Sequence, residues 1–396
     1  MNAIRKIFDE KNKVYFDYIY LIALCLTFAV FKFTIFTHFR MRTPDNLFMI
    51  LTLFMLPRLA FVKLSKSDII LFFIAAPIFI HTFIFVNTLT LFNFFNHALL
   101  FSFIAAICGK NINIKLTVKV LLYTEIISCA LLFIAFFAGL TQEIMTIHRG
   151  SAVRYALGFP HPLFLGHRIF LIITLWLYHR YEKLNIKDFI ALTAVSFITY
   201  FICYSRTALI MSLFIILMFF IKIKFKKATD FKFKRYNFFN IALILLPVLL
   251  IGATLFQAVV IPEIEPLSNG IDRLFSGRMS YNQEAVKVYP IQLFSRDIKV
   301  FSNAKVKVIV DNGYLNGLIR YGVITIAVFF LLYCRMLKNA IKNNNYALLI
   351  ICVTFLIYSL SDNILYDIRY DFTLCILFHD FENNKMHEEE KVWKSS

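Results

Sequence analysis

Residues 187–227 read KDFIALTAVSFITYFICYSRTALIMSLFIILMFFIKIKFKK. Two apolar runs, 188–204 and 207–221, are separated only by Ser205, Arg206 and Thr207, and lysines close the far end of each run. A bilayer core takes about 20 mostly apolar residues per helix. The stretch therefore predicts a tight helical hairpin that crosses a membrane twice, with its turn on one side and its lysines on the other. No Gly or Pro makes that turn.

The same texture extends along the chain. Of the 396 residues, 60% are hydrophobic and 17% charged, with a mean hydropathy of +0.71. A soluble domain averages about 45–50% apolar and about 25% charged, so a soluble globular enzyme, a disordered chain and a secreted disulfide scaffold are excluded. Twelve candidate spans follow: 18–36, 46–62, 68–86, 88–108, 119–138, 163–179, 188–204, 207–221, 238–261, 313–334, 346–361 and 364–378. The first begins after a basic segment (Arg5, Lys6, Lys11, Lys13), is too long for a signal-peptide core and has no small-residue cleavage site after it, so it reads as a retained span. The last is interrupted by Asp367, Arg369 and Asp371. The expected fold is all-α: one polytopic membrane domain over 1–396 with about twelve transmembrane helices. It carries long external loops at 139–162 and 262–312 and a cytoplasmic tail at 379–396.

The formal charge is +18, from 42 Lys and Arg against 24 Asp and Glu. In so apolar a chain this excess means either polyanion binding or membrane topology. With the N-terminus placed inside, 25 basic residues fall in inner segments, 12 in outer segments and five within spans (Lys32, Arg58, Arg168, Arg320, Arg369). Without the longest outer loop the outer count drops to five, which by the positive-inside rule places both termini in the cytoplasm. Lys32 and Arg58 read as snorkelling residues. All seven cysteines fall in spans and read as small hydrophobes, not as a disulfide or zinc framework.

Long external connections are where function concentrates. The first contains HRGSAVRYALGFPHPLFLGHR, 148–168, in which Gly158, Pro160 and Pro162 impose a fixed turn and His161 lies between two prolines, with Arg154 upstream. It reads as an anion-binding or acid–base element, or as a helix-entry turn with solvated charge. The second holds Arg273 and Arg278 in RLFSGR, an expected amphipathic helix over 281–294 and an expected strand over 304–310. Guanidinium forks suit phosphate oxygens; ordinary solvated charge is the alternative. Arg206 marks the hairpin turn, and Arg168 and Arg320 lie deeper, where ionisable groups default to functional hypotheses; structural ion pairs, with Asp362 beside Asn363 and Asp367 beside Arg369 as the counter-charges, are the alternative. In VDNGYLNGLIRYG, 310–322, Asp311 and Asn312 are placed to cap a helix, or Asp311 to act as a general base.

Four stretches in this order, GFPHPLFLG (158–166), YSRTAL (204–209), LFSGR (274–278) and DNGYLNGLIRYG (311–322), resemble the O-antigen and capsular polysaccharide polymerases, which are related to the O-antigen ligases. The ligases carry a His-Asn pair where this chain has Asp311-Asn312, which favours the polymerase side. The resemblance implies a glycosyltransferase of the bacterial cytoplasmic membrane. It would join polyprenyl-diphosphate-linked oligosaccharide repeat units at the outer face into a capsular, exopolysaccharide or O-antigen chain. Arg154, Arg206 and Arg278, with Arg273 and Arg320 in reserve, would bind the diphosphate, and Asp311 or else His161 would accept the proton of the attacking hydroxyl. With no D-x-D or His-rich constellation, the expected chemistry uses no metal or other cofactor. The expected partners are the lipid-linked substrate and membrane lipid, with a chain-length regulator and flippase as further candidates, and no nucleic acid. The competing classes are a flippase or transporter of the same lipid-linked units and a ligase-type transferase.

Overall fold

The computed structural model describes residues 10–30, 43–85, 98–141, 146–147, 153–224, 238–260, 278–295 and 310–379. Helix α1 (Glu10–Val30) is followed by α2 (Thr43–Met55), which tightens into a 3-10 turn (Leu56–Phe61) where Pro57 enters. Helices α3 (Lys66–Phe85), α4 (Ala98–Cys108) and α5 (Ile114–Phe137) come next. A two-residue hairpin, β1 (Thr146–Ile147) and β2 (Val153–Arg154), pairs antiparallel with Thr146 opposite Arg154. Helices α6 (Pro162–His179), α7 (Ile186–Cys203) and α8 (Arg206–Lys224) follow, and then α9 (Phe238–Ile244), α10 (Leu246–Leu255), α11 (Arg278–Val288), α12 (Gly313–Lys342) and α13 (Tyr346–Tyr358).

Six of these, α3, α5, α6, α7, α8 and α12, are long and apolar enough to cross a membrane. At 1.5 Å per residue, the 18 residues of α6 or α7 reach about 27 Å, close to the thickness of a hydrocarbon core. The expected hairpin is α7 and α8. The remaining apolar runs form shorter helices, among them Ala98–Cys108 and Tyr346–Tyr358. The expected span 238–261 is broken where Pro247 cannot donate to the turn before it, and it ends in a π turn, Phe256–Val260.

The run 364–378 is not a helix, contrary to expectation: it forms turns and a short 3-10 segment, Phe372–Ile376. Its acids explain this. The Asp367 carboxylate accepts from the backbone N–H of Arg369 (2.9 Å) and Asp371 accepts from that of Thr373 (2.9 Å). Side chains that capture nearby backbone N–H groups compete with the helical ladder. The helix expected over 281–294 runs instead from Arg278 to Val288, and the approach of Pro290 ends it. The expected strand over 304–310, like Lys32, lies outside the described residues except for Val310.

Helices α12 and α6 sit deepest. α6 packs on α5, α7 and α8, and α12 packs on α3, α9, α10 and α13, with α13 bridging to α8. Lipid tails are as apolar as leucine, so helices in a bilayer gain by close backbone approach and by interhelical hydrogen bonds. Both are present. A Cβ on Gly166 of α6 would fall 2.8 Å from the Ser205 side chain, and Thr82 of α3 bonds Thr325 of α12 at 3.0 Å.

Successive long helices alternate in direction and define two ends. At the lower end Asp68 (α3) is ion-paired with Lys110 and with Arg335 of α12, and Arg180 pairs with Asp188 at 3.4 Å. Arg58 does not snorkel. It is 2% exposed, pairs with Asp17 at 2.7 Å and donates to the carbonyls of Cys108 and Lys110. At the upper end lie the last turn of α5, the start of α6, the α7–α8 turn and the start of α12.

Helix α12 is interrupted at Gly322, whose φ of 80° lies in the left-handed region. The N–H groups of Val323 and Ile324 bond the carbonyls of Gln292 (2.9 Å) and Leu293 (3.1 Å) instead of the preceding turn. A Cβ at 322 would meet the Phe294 backbone at 2.5 Å, so this close approach requires glycine. The segment after α11 is thereby pinned against α12, and Ala285 packs with Ala258, Leu315 and Ile319. Arg278, at the other end of α11, is held over the upper end.

Candidate functional site

The segment 153–161 docks onto the end of α7. Gly158 takes φ +86° against the last turns of α5. The N–H of Tyr155 bonds the Ile202 carbonyl (3.0 Å), and Arg154 Nε donates to the Cys203 carbonyl (2.9 Å). Carbonyls in a last helical turn lack intrahelical partners and attract cations, so α7 holds this arginine by one edge. The residue is only 8% exposed, and its Nη2 is buried with no hydrogen-bond partner among the described residues.

Pro162 opens α6, and His161 is its N-cap: Nδ1 accepts the N–H of Leu163 at 3.2 Å. That bond requires an unprotonated Nδ1 and places the ring proton on Nε2. Burial lowers the pKa of His161, Arg154 lowers it further, and Asp311 opposes them. His161, the second choice for proton acceptor, therefore presents a donor at its free nitrogen.

The turn in YSRTAL is made by Tyr204 in the left-handed conformation (φ 48°), which does the work of the missing glycine. Arg206 is the first residue of α8 and its side chain is exposed. Its neighbour Thr207 accepts a hydrogen bond from an Nη1 of Arg278 (3.2 Å). Arg278 reaches the other way with Nε to Asp311 Oδ2, at 3.3 Å. One guanidinium thus ties the starts of α8, α11 and α12 together.

The start of α12 divides two duties that the sequence left open. Asn312 does the capping: its side chain accepts from the N–H of Leu315 (3.0 Å) and donates to the Leu360 carbonyl (2.9 Å). Asp311 is left to face Arg278. The N–H of Gly313 bonds the Ser359 carbonyl (2.8 Å), and a Cβ there would touch the Asp362 carbonyl at 3.2 Å. These contacts lock the end of α13 onto the start of α12 and bring Asp362 beside Asp311 and Arg278. Burial raises the pKa of Asp362 to about 6, with Arg278 pulling it down and Asp311 pushing it up.

Five expected residues are thus placed at one end of the bundle: Arg154, His161, Arg206, Arg278 and Asp311. Arg154 and Arg278 lie close enough for Arg278, after burial, to depress the pKa of Arg154, against an opposing effect of Cys203. Arg320 is two turns into α12, roughly 10 Å along the axis from its start, and is not part of this group. Arg273 lies outside the described residues. Asp362 was noticed in the sequence only as a counter-charge. The signal available was a second Asp-Asn pair, 362–363, after an apolar run, matching 311–312 before one.

The deep charges form a separate structural group. Arg168 is 1% exposed and donates to the Arg369 carbonyl (2.7 Å). It lies 3.6 Å from Glu125 of α5 and over the Tyr370 ring at 5.3 Å. Arg369 pairs with Asp367 at 2.7 Å and stacks over Phe48. These contacts fasten the irregular segment after α13 into the core, and Arg168 satisfies one of its carbonyls. His167 beside them is ringed by Phe170, Tyr358 and Tyr370.

Compared with known proteins, the chain matches no family model, no curated protein and no solved structure.

Proposed function

We propose that this protein polymerises polyprenyl-diphosphate-linked oligosaccharide repeat units at the outer face of a bacterial cytoplasmic membrane. The observation that carries the reading is the placing of Arg154 and Arg278 at one interhelical turn. Arg154 is fixed to the Cys203 carbonyl and Arg278 to Thr207, on either side of the α7–α8 turn, and a buried guanidinium nitrogen of Arg154 has no acceptor among the described residues. An isolated buried donor of this kind is costly unless an anion satisfies it. A diphosphate offers several oxygens, and guanidinium groups fixed before the reaction stabilise charge that grows on it as the glycosidic bond breaks. Arg206, exposed beside Thr207, extends the positive surface toward solvent. The distribution of basic residues supports placing this end outside.

A transporter of the same lipid would use interrupted helices to line a mid-membrane site. The interruption at Gly322 is closed by the chain's own carbonyls of Gln292 and Leu293, which supports the enzyme over the transporter.

The test is a purified preparation in detergent given lipid-linked repeats extracted from cells that lack this protein. A ladder of products supports polymerisation, a single transfer to another acceptor makes the protein a ligase, and intact substrate sinks the enzymatic reading. Arg154→Ala and Arg278→Ala should each lower turnover by about 10²–10³-fold, the usual cost of losing one such donor. Wild-type ladders from both would remove them from the reaction.

A further inference from the structure

Two carboxylates stand at the arginine pair, and the geometry gives them different work. The Asp311 carboxylate is ion-paired with Arg278 at 3.3 Å, and Arg278 is in turn anchored to Thr207. That carboxylate is committed to holding the guanidinium in place, because losing its charge would dissolve the ion pair that orients Arg278. Asp362 makes no ion pair among the described residues. Among the described residues, its Oδ1 accepts only the N–H of the adjoining Asn363, at 3.0 Å. It stands on a stiff support: Gly313 N–H to the Ser359 carbonyl, Asn312 Nδ2 to the Leu360 carbonyl, and the close approach of residue 313 to its own carbonyl. The charged and titratable groups around it are Arg278 from the start of α11, Asp311 from the start of α12, Tyr358 from the end of α13, and Tyr370 from the segment that follows. His161 lies within electrostatic reach of Asp311, and Arg154 within that of Arg278.

We propose that Asp362, and not Asp311, accepts the proton of the attacking sugar hydroxyl, while Asp311 positions Arg278 for the leaving diphosphate. This assignment rests on the polymerase reading above. In the step, the hydroxyl oxygen of the acceptor forms a bond to the anomeric carbon of the donor. The bond from that carbon to the diphosphate oxygen breaks, and its electron pair leaves on the polyprenyl diphosphate, facing Arg154 and Arg278. The hydroxyl proton passes to the Asp362 carboxylate and from there to water when the product departs. The surroundings suit the role. Burial lifts this carboxyl toward neutrality, up to about 6, so it is ionised yet basic enough to take a proton at neutral pH. Asn312 occupies the capping position, so neither acid is needed there.

The experiment compares wild type, Asp362→Asn, Asp362→Glu and Asp311→Asn, each purified as the full chain in detergent. Turnover is read with extracted lipid-linked repeats across pH 5–8, and binding of undecaprenyl diphosphate is measured separately by thermal shift. In wild type, turnover should rise with pH through about 6, as Asp362 loses its proton. Asp362→Asn should lose about 10²–10⁴-fold in kcat, the range for removing a general base, keep its affinity for undecaprenyl diphosphate and lose the acidic limb. Asp362→Glu should restore part of the turnover and the limb. Asp311→Asn should weaken undecaprenyl diphosphate binding and keep the limb. A wild-type ladder together with an Asp362→Asn enzyme of normal kcat, or with the limb lost in Asp311→Asn instead, overturns the assignment and leaves the polymerase reading standing. No transfer by wild type overturns both.

Discussion

The two ends of the helical bundle use the same residue types to opposite effect. At the lower end one carboxylate, Asp68, faces two cations, Lys110 and Arg335, and Ser65 also bonds it. Its charge is met by the protein's own cations, although the Nη1 of Arg335 is buried with no hydrogen-bond partner among the described residues. At the upper end Arg154 and Arg278 are fixed on either side of the α7–α8 turn, one acid is committed to an arginine, and the second stands apart from any ion pair among the described residues. The lesson is that burial of charge alone does not mark a site in this protein. Arg58, Arg168 and Arg369 are all more deeply buried than Arg154, and each has a carboxylate partner: Asp17, Glu125 and Asp367. What marks the upper end is a buried arginine, Arg154, that has no carboxylate partner among the described residues.

The sharpest way to break this comparison is to remove one member from each end. Asp68→Ala leaves two cations facing each other in a buried place. Breaking a buried pair on one side costs about 3–5 kcal/mol, so folded yield and the unfolding temperature in detergent should fall steeply. Arg154→Ala removes a buried cation that has a cationic neighbour, and its unfolding temperature should stay near that of wild type even though transfer is lost. Equal losses in the two variants would show that both ends are structural.

A smaller effect probes how the upper end is supported. Gly322→Ala puts a Cβ within 2.5 Å of the Phe294 backbone at a left-handed φ. Such strain costs about 1–3 kcal/mol. The segment 289–295 should then leave its place along α12, exposing residues 278–295 to protease while the lower end keeps its protection. An unchanged digestion pattern would mean that α11 is positioned without the break.

The smallest effect is on pH-dependent stability. A carboxyl raised in the folded state binds a proton there that the unfolded chain releases, so stability falls as pH rises from near the ordinary 3.8 through about 6. A shallow drop in unfolding temperature over that window, absent in Asp362→Asn, is the expected result. The same drop in both proteins would assign it to other groups.

Much of the helical layout was legible in the sequence, because a 20-residue apolar run bounded by charge has few alternatives in a bilayer. The hairpin at 188–221 formed with its turn at the expected place. The run 364–378 was misjudged because hydropathy averages over Asp367 and Asp371, while their side chains act locally on single N–H groups. Arg58 was misjudged for a related reason. Snorkelling is the default for a lone arginine near a helix end, and nothing in a linear reading brings Asp17 and the carbonyls after α4 to it. At the candidate site, the residues on separate loops were each readable as polar and out of place, yet the division of labour among Asp311, Asn312 and Asp362 was not.

The sequence by itself determined that this is an all-helical, membrane-type chain, since composition and the period of apolar runs constrain backbone that has no water to bond. Only the tertiary structure decided which charges are matched and which are left open. Matching depends on distances of a few ångströms between residues 50 to 200 positions apart, such as Arg278 with Thr207 and Arg168 with the Arg369 carbonyl. Those distances come from glycine contacts, helix caps and one interrupted helix that bring separate segments together.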